Sequence, residues 1–264
     1  MKTMMLAGLG LLSCASFAQG FSDTFDSINP GWVQDRYDTQ GFNSTFFDGD
    51  NRLEVTIGAA DGFSQRTSPY NSGFYDFQGR QRSTGIGGTG VPWRVSGDVY
   101  VSNDMMSGTT NYDTEIWVRD SALNENDAYY PSAWFGRYDV SNFGVGTNLS
   151  TVLGAWDADL GNPWVEVTLA SVLPTFTGNQ WLTLAMEYDG SKVDYFANGV
   201  LYYSDTTASP LAQGSAQTVF LNSYNFDSGV DQTVYWDNVN AVPEPATMTA
   251  LALGAAALMR RKKK

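Results

Sequence analysis

Glu115, Trp117 and Arg119 alternate along one short stretch, with Ile116 and Val118 between them. Side chains of an extended strand alternate between faces, so the acid, the indole and the guanidinium share one face and the two aliphatics the other. An indole between an acid and a guanidinium can cover the apolar side of a pyranose while the charged groups bind its hydroxyls. The pattern recurs at Trp164 and Glu166, set against Val165, Val167 and Leu169. It recurs again at Arg94, Asp98 and Tyr100, set against Val95, Gly97, Val99 and Val101. Asp98, Tyr100, Glu115, Trp117, Arg119, Trp164 and Glu166 are therefore the candidate glycan contacts. The competing reading packs Trp117 beneath a loop and pairs Glu115 with Arg119 at the surface.

Hydrolysis of a glycosidic bond takes two carboxylates, about 5–5.5 Å apart for retention and farther for inversion. Glu115 with Glu166 or with Asp98 would supply them if folding brought the two into one groove. Histidine is absent from the chain, which removes Ser-His-Asp triads, Cys-His dyads and His-ligated metal sites. The one cysteine is Cys14, so no disulfide or thiol chemistry is available beyond it. Asp157 and Asp159, in Asp157-Ala158-Asp159-Leu160-Gly161-Asn162, place oxygen ligands at alternate positions as calcium loops do. Thr168 stands where an EF-hand loop needs its last Glu, so a structural calcium is the only cofactor this stretch suggests. Asp48-Gly49-Asp50-Asn51 reads equally as a β-turn.

Elements that could position these residues are strands. The chain holds 27 glycines and is 14% aromatic, and no sustained helical periodicity runs through residues 19–242. The clearest piece is 181–204, where Trp181 to Tyr188, Lys192 to Ala197 and Val200 to Ser204 are separated by Asp189-Gly190 and Asn198-Gly199. Both dipeptides favour tight primed turns, which predicts a three-stranded meander. Further strands are expected at 52–57, 94–102, 114–120, 133–139, 151–156, 164–169, 218–224 and 233–239, and near 21–25, 32–37 and 74–77. About a dozen strands without a crossover helix must pack sheet on sheet, as an all-β antiparallel sandwich or jelly roll. Residues 58–92 resemble no known pattern, and Gly85 to Gly90 reads as a mobile loop.

Residues 19–242 hold 27 acids and nine cations, a net charge of −18. Such a domain repels nucleic acid and anionic membrane surfaces and suits neutral polysaccharide better than polyanionic glycans. Both ends of the chain differ from this body. Met1-Lys2 precedes an apolar run, and Ser16-Phe17-Ala18 offers small residues at the −3 and −1 positions of a signal-peptidase cut, so residues 1–18 read as a signal peptide. Leu11-Leu12-Ser13-Cys14 fits a lipobox loosely, as a competing reading. The last 22 residues run Pro243-Glu244-Pro245, an uncharged stretch from Ala246 to Met259, then Arg260-Arg261-Lys262-Lys263-Lys264. A 14-residue apolar helix spans about 21 Å, short of the ~30 Å hydrocarbon core, and its basic flank would stay on the cytoplasmic side.

Pro-Glu-Pro, short apolar helix and basic cluster, in that order, closely resemble the PEP-CTERM sorting tail of Gram-negative bacteria. The resemblance implies processing by an exosortase, a membrane-embedded cysteine peptidase that cuts near Pro-Glu-Pro, after transient membrane insertion of the tail. It implies export to the outer envelope or extracellular matrix. Three runs are similar to strands of laminin-G-like, concanavalin A-like sandwiches: Phe21-Ser-Asp-Thr-Phe-Asp, the 181–199 meander, and Tyr235-Trp236-Asp237-Asn238-Val239. Family 16 glucanases of that fold carry Glu-aliphatic-Asp on one strand; Glu115-Ile116 begins the pattern, and Trp117 replaces the Asp. The 195–199 run is similar to a strand of alginate lyases, whose Gln-Ile-His motif needs the missing histidine. The expectation is an exported, non-catalytic sandwich handled by signal peptidase and exosortase and contacting polysaccharide or serving as matrix scaffold. The alternative is a glycan-degrading enzyme.

Overall fold

The computed structural model describes residues 19–59, 67–68, 77–86, 90–119, 129–141, 147–206, 215–224 and 229–243. The expected signal peptide, the expected apolar tail helix and the first three residues of the strand expected near 74–77 lie outside the described residues.

In chain order the first strands are β1 (Phe21–Asp23), β2 (Val33–Gln34), β3 (Gly41–Phe47), β4 (Asp50–Ile57) and β5 (Gln78–Ser83). Next come β6 (Trp93–Val101), helix α1 (Asn103–Ser107), β7 (Tyr112–Arg119), β8 (Ser132–Tyr138), β9 (Ser150–Trp156) and β10 (Trp164–Thr168). Helix α2 (Leu169–Val172) follows, then β11 (Gln180–Tyr188), β12 (Val193–Ala197), β13 (Val200–Asp205), β14 (Thr218–Tyr224) and β15 (Gln232–Pro243). One sheet runs β13-β12-β11-β6-β15-β4-β3, with β1 beside β15; the other runs β10-β9-β8-β7-β14-β5-β2. The pairings are antiparallel throughout, and the two sheets form a concanavalin A-like sandwich.

Alternation sets the core. Val95, Val99 and Val101 of β6, Leu182, Leu184 and Met186 of β11, and Val55 and Leu53 of β4 meet Ile116 and Val118 of β7, Phe135, Leu153, Val219 and Leu221. Trp236 crosses the interior, its Nε1 donating to Thr114 Oγ1 of the opposite sheet at 3.0 Å. That bond satisfies a buried indole donor.

The meander stands at β11–β12–β13, and its two turns differ. Asn198 and Gly199 both have positive φ, 47° and 77°, as a two-residue primed turn requires. Between β11 and β12 the loop is longer, and the Asp189 carboxylate accepts from the backbone of Ser191 and Lys192. The β3–β4 hairpin turns at Asp48-Gly49, with φ of 50° and 89°, so that stretch is a β-turn.

Four expectations need correction. Leu169 is buried, as its alternation required, but it opens α2 instead of closing β10. Strands β3 and β5 have no counterpart in the periodicity, because Ser44-Thr45 and Arg80-Gln81-Arg82 interrupt any apolar alternation. Ile86 in the glycine-rich stretch is fully buried, so that part of the loop is packed. Finally, β15 continues past the expected end at 239 to Pro243, which pairs with Trp93 of β6.

Candidate functional site

The outer face of the second sheet gathers five of the seven candidates. Register places Glu115 beside Trp134 and Asn222, and Trp117 beside Phe220. Trp134 faces Gly154, and Gly154 faces Glu166. Arg119 sits at the end of the same strand, with Nη2 donating to Thr218 Oγ1 at 3.2 Å. Asp98 and Tyr100 lie on the outer face of the other sheet. There the Asp98 carboxylate accepts from Thr183 Oγ1 at 2.6 Å and Asn238 Nδ2 at 2.9 Å. Tyr100 packs edge-on against Phe47 and Trp181. A catalytic pair of Glu115 with Asp98 is therefore ruled out, because the two side chains point away from each other across the whole sandwich.

Glu115 and Glu166 are three strand steps apart, about 14 Å between backbones at ~4.8 Å per step. Trp134 stands between them. Its indole occupies the space where a Cβ on Gly154 would be, so glycine is what lets the ring lie across β9. Trp134 Nε1 donates to Tyr138 Oη at 2.9 Å, and Tyr138 Oη donates to Glu166 Oε1 at 2.8 Å. Trp164 packs edge-on against Trp134 at 5.3 Å and Trp156 at 4.7 Å. The result is a tryptophan wall ending in an oriented carboxylate. Trp164 is half-buried and Glu166 exposed, at the free edge of the sheet.

The centre of the face is closed. Trp117 is packed by Phe77, Phe220 and Tyr130, and the Arg36 guanidinium lies 4.4 Å from its ring centre. Burial of Trp117 agrees with the packing alternative, whereas Glu115 is not paired with Arg119 at the surface. Glu115 is wholly buried, and Trp117 Nε1 donates to its Oε2.

Asp113, two residues before Glu115, is buried beside it on the same face. Burial pushes the Asp113 carboxyl well above the ordinary range, and the neighbouring Glu115 charge pushes it further. Burial also raises Glu115, to about 7, while hydrogen bonds from Trp117 and Asp113 and the Arg36 charge pull it back. Asp113 is thus the group more strongly held in its protonated form. Among the described residues, Asp113 Oδ1, Glu115 Oε1 and both polar atoms of the Asn222 amide have no hydrogen-bond partner. Asp113 was legible as the start of Asp113-Thr114-Glu115, but only by scanning backward from Glu115.

At the far end of the face, Val33, Gln81, Ser83, Arg119 and Thr218 line an open pocket of about 430 Å³. Asp157 and Asp159 meet Asp205 of β13, with one oxygen of each within 4.8 Å of the others. Both buried members already have donors: Tyr203 Oη to Asp157 Oδ2 at 2.5 Å, the Asp159 amide to Asp157 Oδ1 at 3.0 Å, and Tyr129 Oη to Asp205 Oδ2. The donors are those of a loop lock, and only exposed Asp159 keeps its carboxylate free of them.

Residues 241–264 match the PEP-CTERM protein-sorting motif. No curated protein matches the chain. Among solved structures, one titled "Prominent members of the human gut microbiota express endo-acting O-glycanases to initiate mucin breakdown" superposes with a TM-score of 0.51 at 10% identity, covering 84% of this chain and 98% of its own. A Bacillus licheniformis beta-glucanase gives 0.48 at 15% identity, covering 85% and 98%. The alginate lyase Aly36B gives 0.46 at 12% identity, covering 86% and 98%. Identities this low speak to fold alone. The chain is an exported protein in which a concanavalin A-like sandwich precedes a PEP-CTERM sorting motif, and that motif makes exosortase its processing partner.

Proposed function

We propose that the sandwich contacts neutral polysaccharide at the cell surface or in the extracellular matrix, without cleaving it, through the rim of its second sheet. The observation that supports this is Trp164 half-exposed beside Glu166, whose carboxylate Tyr138 orients. An aromatic flank and one fixed acceptor suit a sugar's apolar side and its hydroxyls. The closed centre argues against chemistry there, since Asp113 and Glu115 are buried and Arg36 and Tyr130 pack on the neighbouring Trp117. A net charge of −18 on residues 19–242 favours uncharged chains over polyanions. Affinity electrophoresis through gels containing neutral polysaccharides should retard the mature domain. No retardation on any glycan, with or without calcium, would leave only a scaffold role.

One observation favours a second reading, a glycan-degrading enzyme. Asp113 and Glu115 are neighbouring buried carboxyl groups, both raised by burial, an arrangement that acid–base chemistry uses. Release of reducing ends from a polysaccharide, abolished by Glu115→Gln and by Asp113→Asn, would establish that reading over simple contact.

A further inference from the structure

The outer face of the first sheet carries a row of rings across three neighbouring strands. Trp181 of β11 pairs with Tyr100 of β6, and the register Trp236–Val99 puts Tyr235 of β15 on the other side of Tyr100. Strands lie ~4.8 Å apart, so the row spans about 10 Å. Phe47, at the end of β3, joins it: its ring stacks on Tyr235 at 3.8 Å and packs edge-on against Tyr100 at 4.8 Å. All four rings are half-buried, and Phe46, next to Phe47 in the chain, is 74% exposed. Trp181 is held in place, with Nε1 donating to Asp48 Oδ2 at 2.8 Å and the Arg52 guanidinium 5.3 Å from its ring centre.

A polar row runs beside the rings, two residues along the same strands. Arg52, Asp237, Asp98 and Thr183 follow one another across β4, β15, β6 and β11. Arg52 pairs with Asp237, Thr183 donates to Asp98, and Asn238 Nδ2 donates to Asp98 Oδ2 at 2.9 Å and to Asp237 Oδ2 at 3.1 Å. Asn238 reaches both because β15 bulges there: its φ is 47°, and the pairing with β6 shifts between Asp237 and Asn240. The row is not saturated. Asp237 is 3% exposed, yet its Oδ1 has no partner among the described residues, and neither has the buried Nε of Arg52. An unmet acceptor and an unmet donor cost stability, and a hydroxyl, which both donates and accepts, answers the two together.

We propose that this face is a second contact surface for neutral polysaccharide, on the opposite side of the sandwich from Trp164 and Glu166, so that one domain joins two chains. Rings beside hydroxyl-binding groups suit the two aspects of a pyranose. Asp48, Asp50, Asp98 and Asp237 outnumber Arg52 around the rings, so an anionic chain is repelled. The two faces look away from each other, and a single stretch of chain does not fill both. Joining two chains rests on the rim contact; the contact at this face does not.

The test is affinity electrophoresis of the purified exported protein through gels containing dextran, mixed-linkage β-glucan or galactomannan. Glu166→Gln, which weakens the rim, should leave partial retardation, and adding Trp181→Ala should weaken what remains at least about tenfold. Equal retardation with and without Trp181→Ala overturns the proposal. Thr183→Lys guards against a folding defect in Trp181→Ala: its ammonium can pair with Asp98 while the added chain covers the polar row and every ring stays. It should produce a similar loss at an unaltered Tm, and unchanged retardation overturns the proposal. Should Glu166→Gln alone change nothing while Trp181→Ala weakens retardation, the rim reading fails and this face stands. No retardation in any gel overturns it, as does a sugar-free wild type that sediments as a dimer and that Trp181→Ala makes monomeric, which would assign the face to a second copy. Wild type should also raise the viscosity of a dilute solution of the glycan that retards it, and Trp181→Ala should abolish the rise. No rise with wild type overturns the joining of two chains.

Discussion

Asp113 and Glu115 lie side by side on one face of β7, both buried, with the Trp117 indole donating to Glu115 and the Arg36 guanidinium over the Trp117 ring. The pair is the most strongly perturbed acid site on the second sheet, and its consequences for stability have a definite sign.

Both carboxyl groups are raised in the folded state and titrate near their ordinary values of ~4 when unfolded. Between about pH 4.5 and pH 7 the folded state therefore holds more protons than the unfolded one, so stability falls as pH rises. For Glu115 alone, a shift to about 7 corresponds to something on the order of 2–4 kcal/mol across that window. Thermal melts should show Tm decreasing from pH 5 to pH 8, and Glu115→Gln should flatten the slope. A wild-type Tm that rises over this range would refute the assignment.

The rim prediction concerns Glu166. Glu166→Gln keeps an acceptor for Tyr138 and removes the charge at an exposed position, so Tm should shift little. Affinity for a neutral polysaccharide should fall about tenfold, equivalent to ~1.4 kcal/mol. Isothermal titration on both proteins measures it. Unchanged affinity would move the contact elsewhere.

Gly154 tests the tryptophan wall. A methyl group there would overlap the Trp134 indole, which is wholly buried and has no room to withdraw. Gly154→Ala should destabilise by about 1–3 kcal/mol or more through overpacking. Gly161→Ala is the control, because nothing lies near that glycine's missing Cβ. Urea unfolding of both variants provides the comparison.

The Tyr129–Asp205 contact should behave as a lock. Asp205→Ala leaves the buried Tyr129 hydroxyl without this acceptor and should cost about 1–3 kcal/mol. The double variant with Tyr129→Phe should recover part of that loss, since no hydroxyl then needs a partner. A calcium-dependent rise in wild-type Tm that Asp205→Ala abolishes would show the cluster to be a cation site instead.

Much of the sandwich was legible because its signals are local. Alternation in 94–101, 114–119 and 164–168 assigned Val99, Ile116 and Val165 inward and Tyr100, Trp117 and Trp164 outward, and the structure agrees on each. Asn198-Gly199 marked its hairpin for the same reason: the backbone conformation is a property of those two residues. Strand β5 was not legible, since Gln78-Gly79-Arg80-Gln81-Arg82-Ser83 has no apolar rhythm and is held in place by its β14 and β2 partners.

By itself the sequence determined the all-β class, the faces of individual strands, the absence of histidine chemistry and the sorting motif at the end of the chain. Those follow from residue type and from a period of two, which need no distant partner. Only the tertiary structure decided which outward faces are the same face. It set Asp98 and Tyr100 on one side of the sandwich and Glu115, Trp117, Trp164 and Glu166 on the other. It buried Asp113 beside Glu115, and it set Phe21 against Ala241. Adjacency of that kind comes from pairing strands up to 220 positions apart, as Phe21 with Ala241. Closing so long a loop is decided by the packing of the whole core, and no local stretch of chain encodes it.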